Sequence, residues 1–318
     1  MFMTAVNSSN GLRVLVLGGT GFIGRHAVAA LHAAGFKVTI GSRNPKRHQN
    51  SCAQAAFLEV RFENLLDPNA WAPYLESIDV VVNCVGILRQ RPMESYDSIH
   101  HRAPSALALA CGRAGTRLIH TSALGLHDNA KSRFLSSKLL GERAIASAGC
   151  DHCIVRPSLL DGEGGFGASW LRGLSRSPLH LIPRGARGGI AAMRCTDLGE
   201  AIAALAKLST LRSHREVELG GSRIFGYAEY LRELGGPGER GERSEQSAKG
   251  NGRRSEKAIQ LTLPNWLTRI GAHLCDVLHF SPFSYGHWIL LQRDNVPMPN
   301  RLPELLGRMP QPIQTHRV

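Results

Sequence analysis

The chain has 318 residues, of which 43% are hydrophobic, 6% aromatic and 20% charged, so it holds enough apolar material for a sizeable core and resembles neither a disordered chain nor a coiled coil. Its net charge of +13 favours polyanions such as anionic lipid surfaces, nucleic acids or a cofactor phosphate without choosing among them. Apolar stretches such as the one around Val80 to Val85 fall far short of the roughly eighteen residues a bilayer span needs.

The first element is "LRVLVLGG", a β-branched and leucine run ending in glycines, followed at helical spacing by "FIGRHAVAALHAAG" and a terminal Gly35. This reads as strand, turn and helix. Within it, "GGTGFIG" sets Gly18, Gly21 and Gly24 in a Gly-x-x-Gly-x-x-Gly pattern. Such glycines serve a tight turn, close backbone approach to a pyrophosphate and intimate helix-to-strand packing, and the helix N-terminus then faces the phosphates. A purely structural turn could use the same residues, but the flanking strand and helix are what a dinucleotide fingerprint demands.

A second strand, "KVTIGSR", ends in Gly41, Ser42 and Arg43, with Lys46 and Arg47 close behind. An NAD site usually has Asp or Glu there to accept from the ribose 2′-OH. A guanidinium suits a 2′-phosphate instead, so NADP(H) is favoured, NAD(H) stays open, and Arg43 as a solvated loop residue is the alternative. Next come "AAFLEVRF" and "IDVVVNCVG" as third and fourth strands, "APSALALACGRAG" as a helix, "TRLIHTSALG" as a fifth strand, Leu135 to Ala148 as a helix and "DHCIVRPSLL" as a sixth strand. Regular alternation predicts an α/β class with a Rossmann-type doubly wound parallel sheet over residues 11–160.

Beyond Leu160 the pattern loosens into a smaller α+β region, 161–318, interleaved with the core and expected to lie over the strand ends as a substrate or partner cap. It offers "DGEGGFG" as a loop, "WLRGLSRSP" and "DLGEAIAALAKL" as helices and "REVELGG" as a short strand. Residues 237–257 are poor in apolar side chains and rich in Gly, Ser and both charges, which predicts a mobile loop. After them a strand and an amphipathic helix are expected, and a Pro-rich extended tail from Val296. In that helix Trp266, Leu267, Ile270, Leu274, Val277 and Leu278 form an apolar stripe with Arg269 and His273 between. Core packing is the expectation for it, with a membrane-surface or partner-docking face as the alternative.

Cys150 and Cys153 have Cys-x-x-Cys spacing but no second pair follows, so buried thiols and no metal are expected. The seven cysteines, an odd number without a framework, read as reduced. Met1 to Asn10 lacks the basic start and apolar segment of a secretory signal, so a cytoplasmic location is expected, at most peripheral at the inner face of the membrane. Basic residues are scattered without interleaved aromatics, and no nucleic-acid motif is found. Asp197, opening "DLGEAI", is expected to cap its helix.

With "GGTGFIG", "VNCVG", "HTSALG", "SRFLSSKLLGE", "IVRPSLLDGEGG" and "RCTDLGEAI" in that order over about residues 12 to 230, the chain resembles the extended and atypical short-chain dehydrogenase/reductases, which are epimerase-like. The short interval from "HTSALG" to the lysine helix, "SYDSIHHRAP" before it and "LLQRDNVP" near the end resemble the branch that contains the nucleotide-binding accessory subunit of respiratory complex I. The resemblance implies that Gly18, Thr20, Gly21, Phe22, Ile23 and Gly24 line the pyrophosphate and that Arg43 meets the 2′-phosphate. Asn64 would stand at the adenine, and Asn83, Val85 and Gly86 beside the adenosine and ribose. Ser122 would take the catalytic serine position, Lys138 would hold the nicotinamide ribose, and Pro157 and Ser158 would sit near the ring.

The family's reaction needs a tyrosine one helical turn before that lysine, its pKa lowered by the ammonium. This chain has Phe134 there, and losing a general acid–base group costs about a hundred- to ten-thousandfold in rate. Ser132, Ser136, Ser137, Tyr96, His100, His101 and His120 are the nearby candidates to replace it, with packing or surface roles preferred for the histidines. The resemblance therefore implies an NADP(H)-binding protein with a structural, sensing or assembly role beside a membrane-associated respiratory or quinone-linked complex. The alternative is an oxidoreductase or epimerase using Ser122, Lys138 and a substitute acid.

Overall fold

Seven parallel strands form the central layer of the computed structural model, which describes residues 11–48, 55–129, 132–236, 258–278 and 285–313. They are β1 (Arg13–Leu17), β2 (Lys37–Ser42), β3 (Ala56–Glu59), β4 (Val80–Asn83), β5 (Arg117–Thr121), β6 (His152–Pro157) and, further on, β10 (Glu216–Leu219). Their order is β10-β6-β5-β4-β1-β2-β3. The helices linking the first six are α1 (Phe22–Ala33), α2 (Pro45–His48), α3 (Ala72–Leu75), α4 (Ala103–Ala114) and α5 (Arg133–Ser147). The near-continuous apolar run of β4 is explained by burial on both faces, and β5 is likewise buried along its whole length although it carries Arg117, His120 and Thr121. Alternate residues of β1 serve opposite cores: Val14 and Val16 pack with α1, Leu15 and Leu17 with Trp71 and the α4 leucine Leu107.

The remaining elements are β7 (Leu160–Asp161), α6 (Phe166–Ser175), β8 (Leu179–Pro183), β9 (Met193–Arg194), α7 (Cys195–Lys207), α8 (Tyr227–Gly235), β11 (Ile259–Leu263), α9 (Asn265–Leu278), α10 (Tyr285–Leu291) and α11 (Leu302–Leu306). Short parallel pairs β7–β9 and β8–β11 lie outside the main sheet. A separate small core joins Leu171 of α6 to Tyr230 and Leu234 of α8, with Ile190 and Phe225.

Two elements after residue 160 are interleaved with the core: β10 extends the sheet beside β6, and α7 packs on α1. Three features depart from the sequence-based expectation. The third strand stops at Glu59, and residues Phe62–Asn64 form a 3-10 turn. The tail from Val296 is not extended throughout, because α11 docks on α7 with Leu302 fully buried. The apolar stripe of α9 does not enter the core: Trp266, Leu267, Ile270 and Leu274 are exposed, whereas Thr268 and Ala272 are buried. Periodicity identifies an apolar face but not the side on which neighbours pack, and here α10 packs on α9. The expected loop at 237–257 lies outside the described residues, as do the side chains of Val277 and Leu278.

Candidate functional site

Strand order reverses between β1 and β4, since β2 and β3 lie to one side and β5 and β6 to the other. In open α/β sheets the crevice at such a switch point, outside the carboxyl ends of the strands, is where ligands bind. The glycine turn stands there. Gly18 has φ of +71°, a left-handed conformation that favours glycine, and its N–H donates to Gly41 O at 3.1 Å. A Cβ on Gly24 would lie 2.1 Å from Gly18 O, so only glycine allows α1 to start this close to β1. Gly21 caps α1 with extended backbone, without a side-chain cap and with no acidic residue in the first turn. The N–H groups and positive dipole end are thus left for an anion. Thr20 and Ile23 are half-buried on this turn. Phe22 packs against Gly162 and Gly165, with the Arg25 guanidinium 5.7 Å from its ring centroid.

At the end of β2, Arg43 is exposed but not alone: its guanidinium pairs with Glu94, a buried carboxylate from the segment after β4. Arg91 Nη1 lies 4.0 Å from the other oxygen of Glu94. Glu94 was not singled out in the sequence, because 51 residues separate it from Arg43 and no local pattern links them. Lys46 and Arg47 are exposed on α2, and Asn64 is exposed on the turn after β3. Asn83 is fully buried and its amide is occupied: Oδ1 accepts from Val85 N–H at 3.0 Å, and Nδ2 lies 3.0 Å from His120 Nδ1. It shapes the turn through Val85 and Gly86, and Val85 would be the nearest neighbour of a Cβ on Gly18.

The far end of the crevice is built from β5 and α5. Ser122 follows β5, its N–H donates to Val155 O at 2.8 Å, and its buried Oγ has no partner among the described residues. Phe134 and Lys138 are one turn apart on α5, as the sequence requires, with Nζ 5.9 Å from the ring centroid. Burial pushes the Lys138 ammonium down to about 8, partly offset by the Glu142 carboxylate. Glu142 is itself buried and bonds Arg156 of β6, which also reaches Glu216 of β10, so α5 is tied to the sheet by a three-residue ionic network. A Cβ on Gly141 would meet His100 O at 1.9 Å. That close approach seats α5 against the π-helical turn Ser98–Arg102 that leads into α4.

Phe134 is buried in an aromatic box. Ring centroids of Tyr96, His100 and His287 lie 5.7, 5.5 and 5.7 Å from its own. Tyr96 donates its hydroxyl to Leu88 O at 2.9 Å. His100 Nε2 accepts from Ile87 N–H at 3.2 Å, so Nδ1 carries the proton toward Ser137 Oγ, 3.0 Å away. Burial first, then the charges of Lys138 and His120, hold His100 well below the usual imidazole range. Burial likewise lowers His120 to about 3, and its Nδ1 faces the Asn83 amide donor. His101 bonds Asp97 at 2.9 Å on the outside of the same turn, Ser136 points to Arg133 O, and Ser132 is buried at the start of α5. His287, on α10, arrives from a part of the chain that the sequence reading did not connect to this site.

Pro157 and Ser158 end β6, yet Ser158 Oγ is directed at Asn295, 2.7 Å from its main-chain oxygen and 2.5 Å from Oδ1. Asn295 Nδ2 in turn donates to Leu124 O at 3.1 Å, so this asparagine of "LLQRDNVP" stitches the C-terminal segment to the strand ends. Asp197 is not the cap expected of it. Arg194 holds that position, and Asp197, fully buried in the first turn of α7, accepts from Arg308 Nη2 and Gln311 N–H, each at 2.8 Å. Cys150 and Cys153 are buried thiols, and burial pushes Cys150 up to about 11. Among the described residues no three His, Cys, Asp or Glu side chains gather as metal ligands, and no helix is long and apolar enough to cross a membrane.

Residues 18–174, which run from the glycine turn through Ser122, Lys138 and Ser158, match the family described as NAD(P)H-binding. That match spans just under half of the chain. Among curated relatives, ceramide reductase of Caulobacter vibrioides is 30% identical over 151 residues, covering 48% of this chain and 47% of that protein. The Arabidopsis thaliana mitochondrial NADH dehydrogenase [ubiquinone] 1 alpha subcomplex subunit 9 is 25% identical over 225 residues, covering 69% and 56%. The chain thus spans about half the length of these curated relatives. A nucleoside-diphosphate-sugar epimerase from Staphylococcus aureus shares the fold, with a TM-score of 0.71 at 16% identity over 96% of this chain and 99% of that one.

Proposed function

We propose that this chain is an atypical short-chain dehydrogenase/reductase that acts by holding NADP(H), in a structural, sensing or assembly role beside a respiratory or quinone-linked complex, and not by turnover. The observation that carries the reading is Phe134, a packed ring in the place where the family's chemistry needs a proton donor. Two of its three ring neighbours offer no ready substitute, because the Tyr96 hydroxyl and His100 Nε2 are already engaged with Leu88 and Ile87. Binding groups are intact. Gly18, Gly21 and Gly24 would admit the pyrophosphate to the start of α1, Ser122 and Lys138 would meet the nicotinamide ribose end, and Arg43 would meet the 2′-phosphate. The dinucleotide supplies hydride-transfer capacity when bound; the chain supplies grip and orientation. Homology to the mitochondrial subunit supports a place beside a respiratory complex.

A second reading, an oxidoreductase or epimerase, is favoured by one feature. The unpartnered Ser122 Oγ is a buried hydroxyl of the kind that steadies a substrate oxygen. Here His287, against Phe134, would be the substitute acid, and the relative named ceramide reductase makes a lipid-derived carbonyl the first substrate to try. Calorimetry with NADPH and NADH, followed by nicotinamide absorbance across carbonyl, quinone and nucleotide-sugar panels, separates the readings. Tight NADPH uptake without turnover is expected. Turnover that falls on replacing His287 would establish the enzyme instead, and no uptake of either nucleotide would defeat both.

A further inference from the structure

The strands β8 and β11, and α9 that follows them in the chain, carry apolar side chains that nothing among the described residues covers. Parallel register sets Leu179 beside Ile259 and Leu181 beside Leu261, so the four project from one face of the two-stranded sheet. They are 43%, 71%, 48% and 51% exposed in that order, while His180 on the opposite face is buried. After Pro264, α9 adds Trp266, Leu267, Ile270 and Leu274, at 65%, 41%, 57% and 51% exposed. These eight are over half of the fifteen large hydrophobic residues exposed among those described. Single exposed apolar side chains are ordinary, but eight of them in strands and a helix joined by one turn mark a surface that another body covers.

Charge identifies that body. No Asp or Glu occurs from Gly164 to Thr196 or from Ala258 to Cys275, so within β8, β11 and α9 the only carboxylate is Asp276 in the last turn of α9. Arginines border it instead. Arg184 follows β8, donates its N–H to Leu263 O at the turn into α9 and is exposed, and Arg269 is exposed beside the apolar stripe. A helix with a tryptophan and aliphatics on one face and basic groups at the border, its one acid in the last turn, is the pattern that lies in the headgroup region of an anionic bilayer. We propose that the β8–β11–α9 face rests on an anionic lipid bilayer, its apolar side chains at the headgroup boundary and Arg184 and Arg269 against lipid phosphates. This inference is independent of the nucleotide reading.

The test is co-sedimentation of the full chain with extruded vesicles of phosphatidylcholine, with and without phosphatidylglycerol. Partition is expected only when phosphatidylglycerol is present, and it should weaken as salt rises. Ile270→Ser with Leu274→Ser should lower the partition coefficient by about tenfold or more, with the thermal midpoint and nucleotide affinity unchanged because both side chains are exposed. Arg184→Gln with Arg269→Gln should flatten the dependence on phosphatidylglycerol. Failure to bind anionic vesicles at low salt overturns the proposal, as does binding that the serine pair leaves untouched. A dimer in sedimentation equilibrium that the serine pair abolishes, without vesicle binding, assigns the face to self-association instead.

Discussion

One ring decides most of what can be said at the scale of single residues. Phe134 keeps the shape of the expected phenol and lacks its proton, so Phe134→Tyr asks whether the rest of the site is competent. If Ser122 and Lys138 are correctly set, the variant should gain reductase turnover by about a hundredfold or more in a carbonyl panel. No gain would mean that the aromatic box holds the new hydroxyl away from the crevice. Arg43 poses a different question, because Glu94 neutralises the group that is proposed to hold the 2′-phosphate. Glu94→Gln should strengthen NADPH binding by about tenfold and leave NADH nearly unchanged, while Arg43→Ala should weaken NADPH alone. Titration calorimetry of both nucleotides reads the difference, and equal effects on the two would reject the cofactor preference.

Helix α1 and helix α5 are each held where they are by the absence of a Cβ. Gly24→Ala places a methyl 2.1 Å from Gly18 O, so α1 must move off β1. A loss of about 1–3 kcal/mol is expected in urea unfolding, together with loss of nucleotide binding. Helix α5 carries the second electrostatic signature. In the folded chain Lys138 has its pKa lowered from 10.5 to about 8, so between those values the unfolded chain binds more protons and stability rises with pH. His120, lowered from 6.5 to about 3, acts in the same sense in the acid range, where stability is lost as pH falls from 6.5. Unfolding midpoints measured across pH should show both slopes, and Lys138→Met should abolish the alkaline one only.

Across the whole molecule, distant segments of chain complete the strand ends. Asn295 joins Ser158 and Leu124, and Asp197 fixes Arg308 and Gln311. Asp197→Ala removes charged hydrogen bonds from a fully buried carboxylate position, and about 1.5–3 kcal/mol of stability should go with it. Limited proteolysis should then cut near residues 308–313 first, because α11 and the segment after it lose their anchor on α7. Protection equal to that of the unmodified chain would show that the buried face of α11 suffices.

Much of this fold was readable because its signals are local. The strand of "LRVLVLGG", the glycine spacing of "GGTGFIG" and the four-residue step from Phe134 to Lys138 each depend on neighbours within a turn or two of chain, where backbone geometry fixes which groups meet. The sequence by itself therefore determined the sheet class, the nucleotide turn and the missing phenol. Contacts across long separations were not legible. Glu94 reaches Arg43, His287 stacks on Phe134, and Asp197 leaves its expected capping role to hold the tail, because partners 51 or more residues away meet only after packing. The stripe on α9 makes the same point for a whole face: its period is written in the chain, but the side on which α10 packs is not, and only the tertiary structure decided that the stripe faces outward.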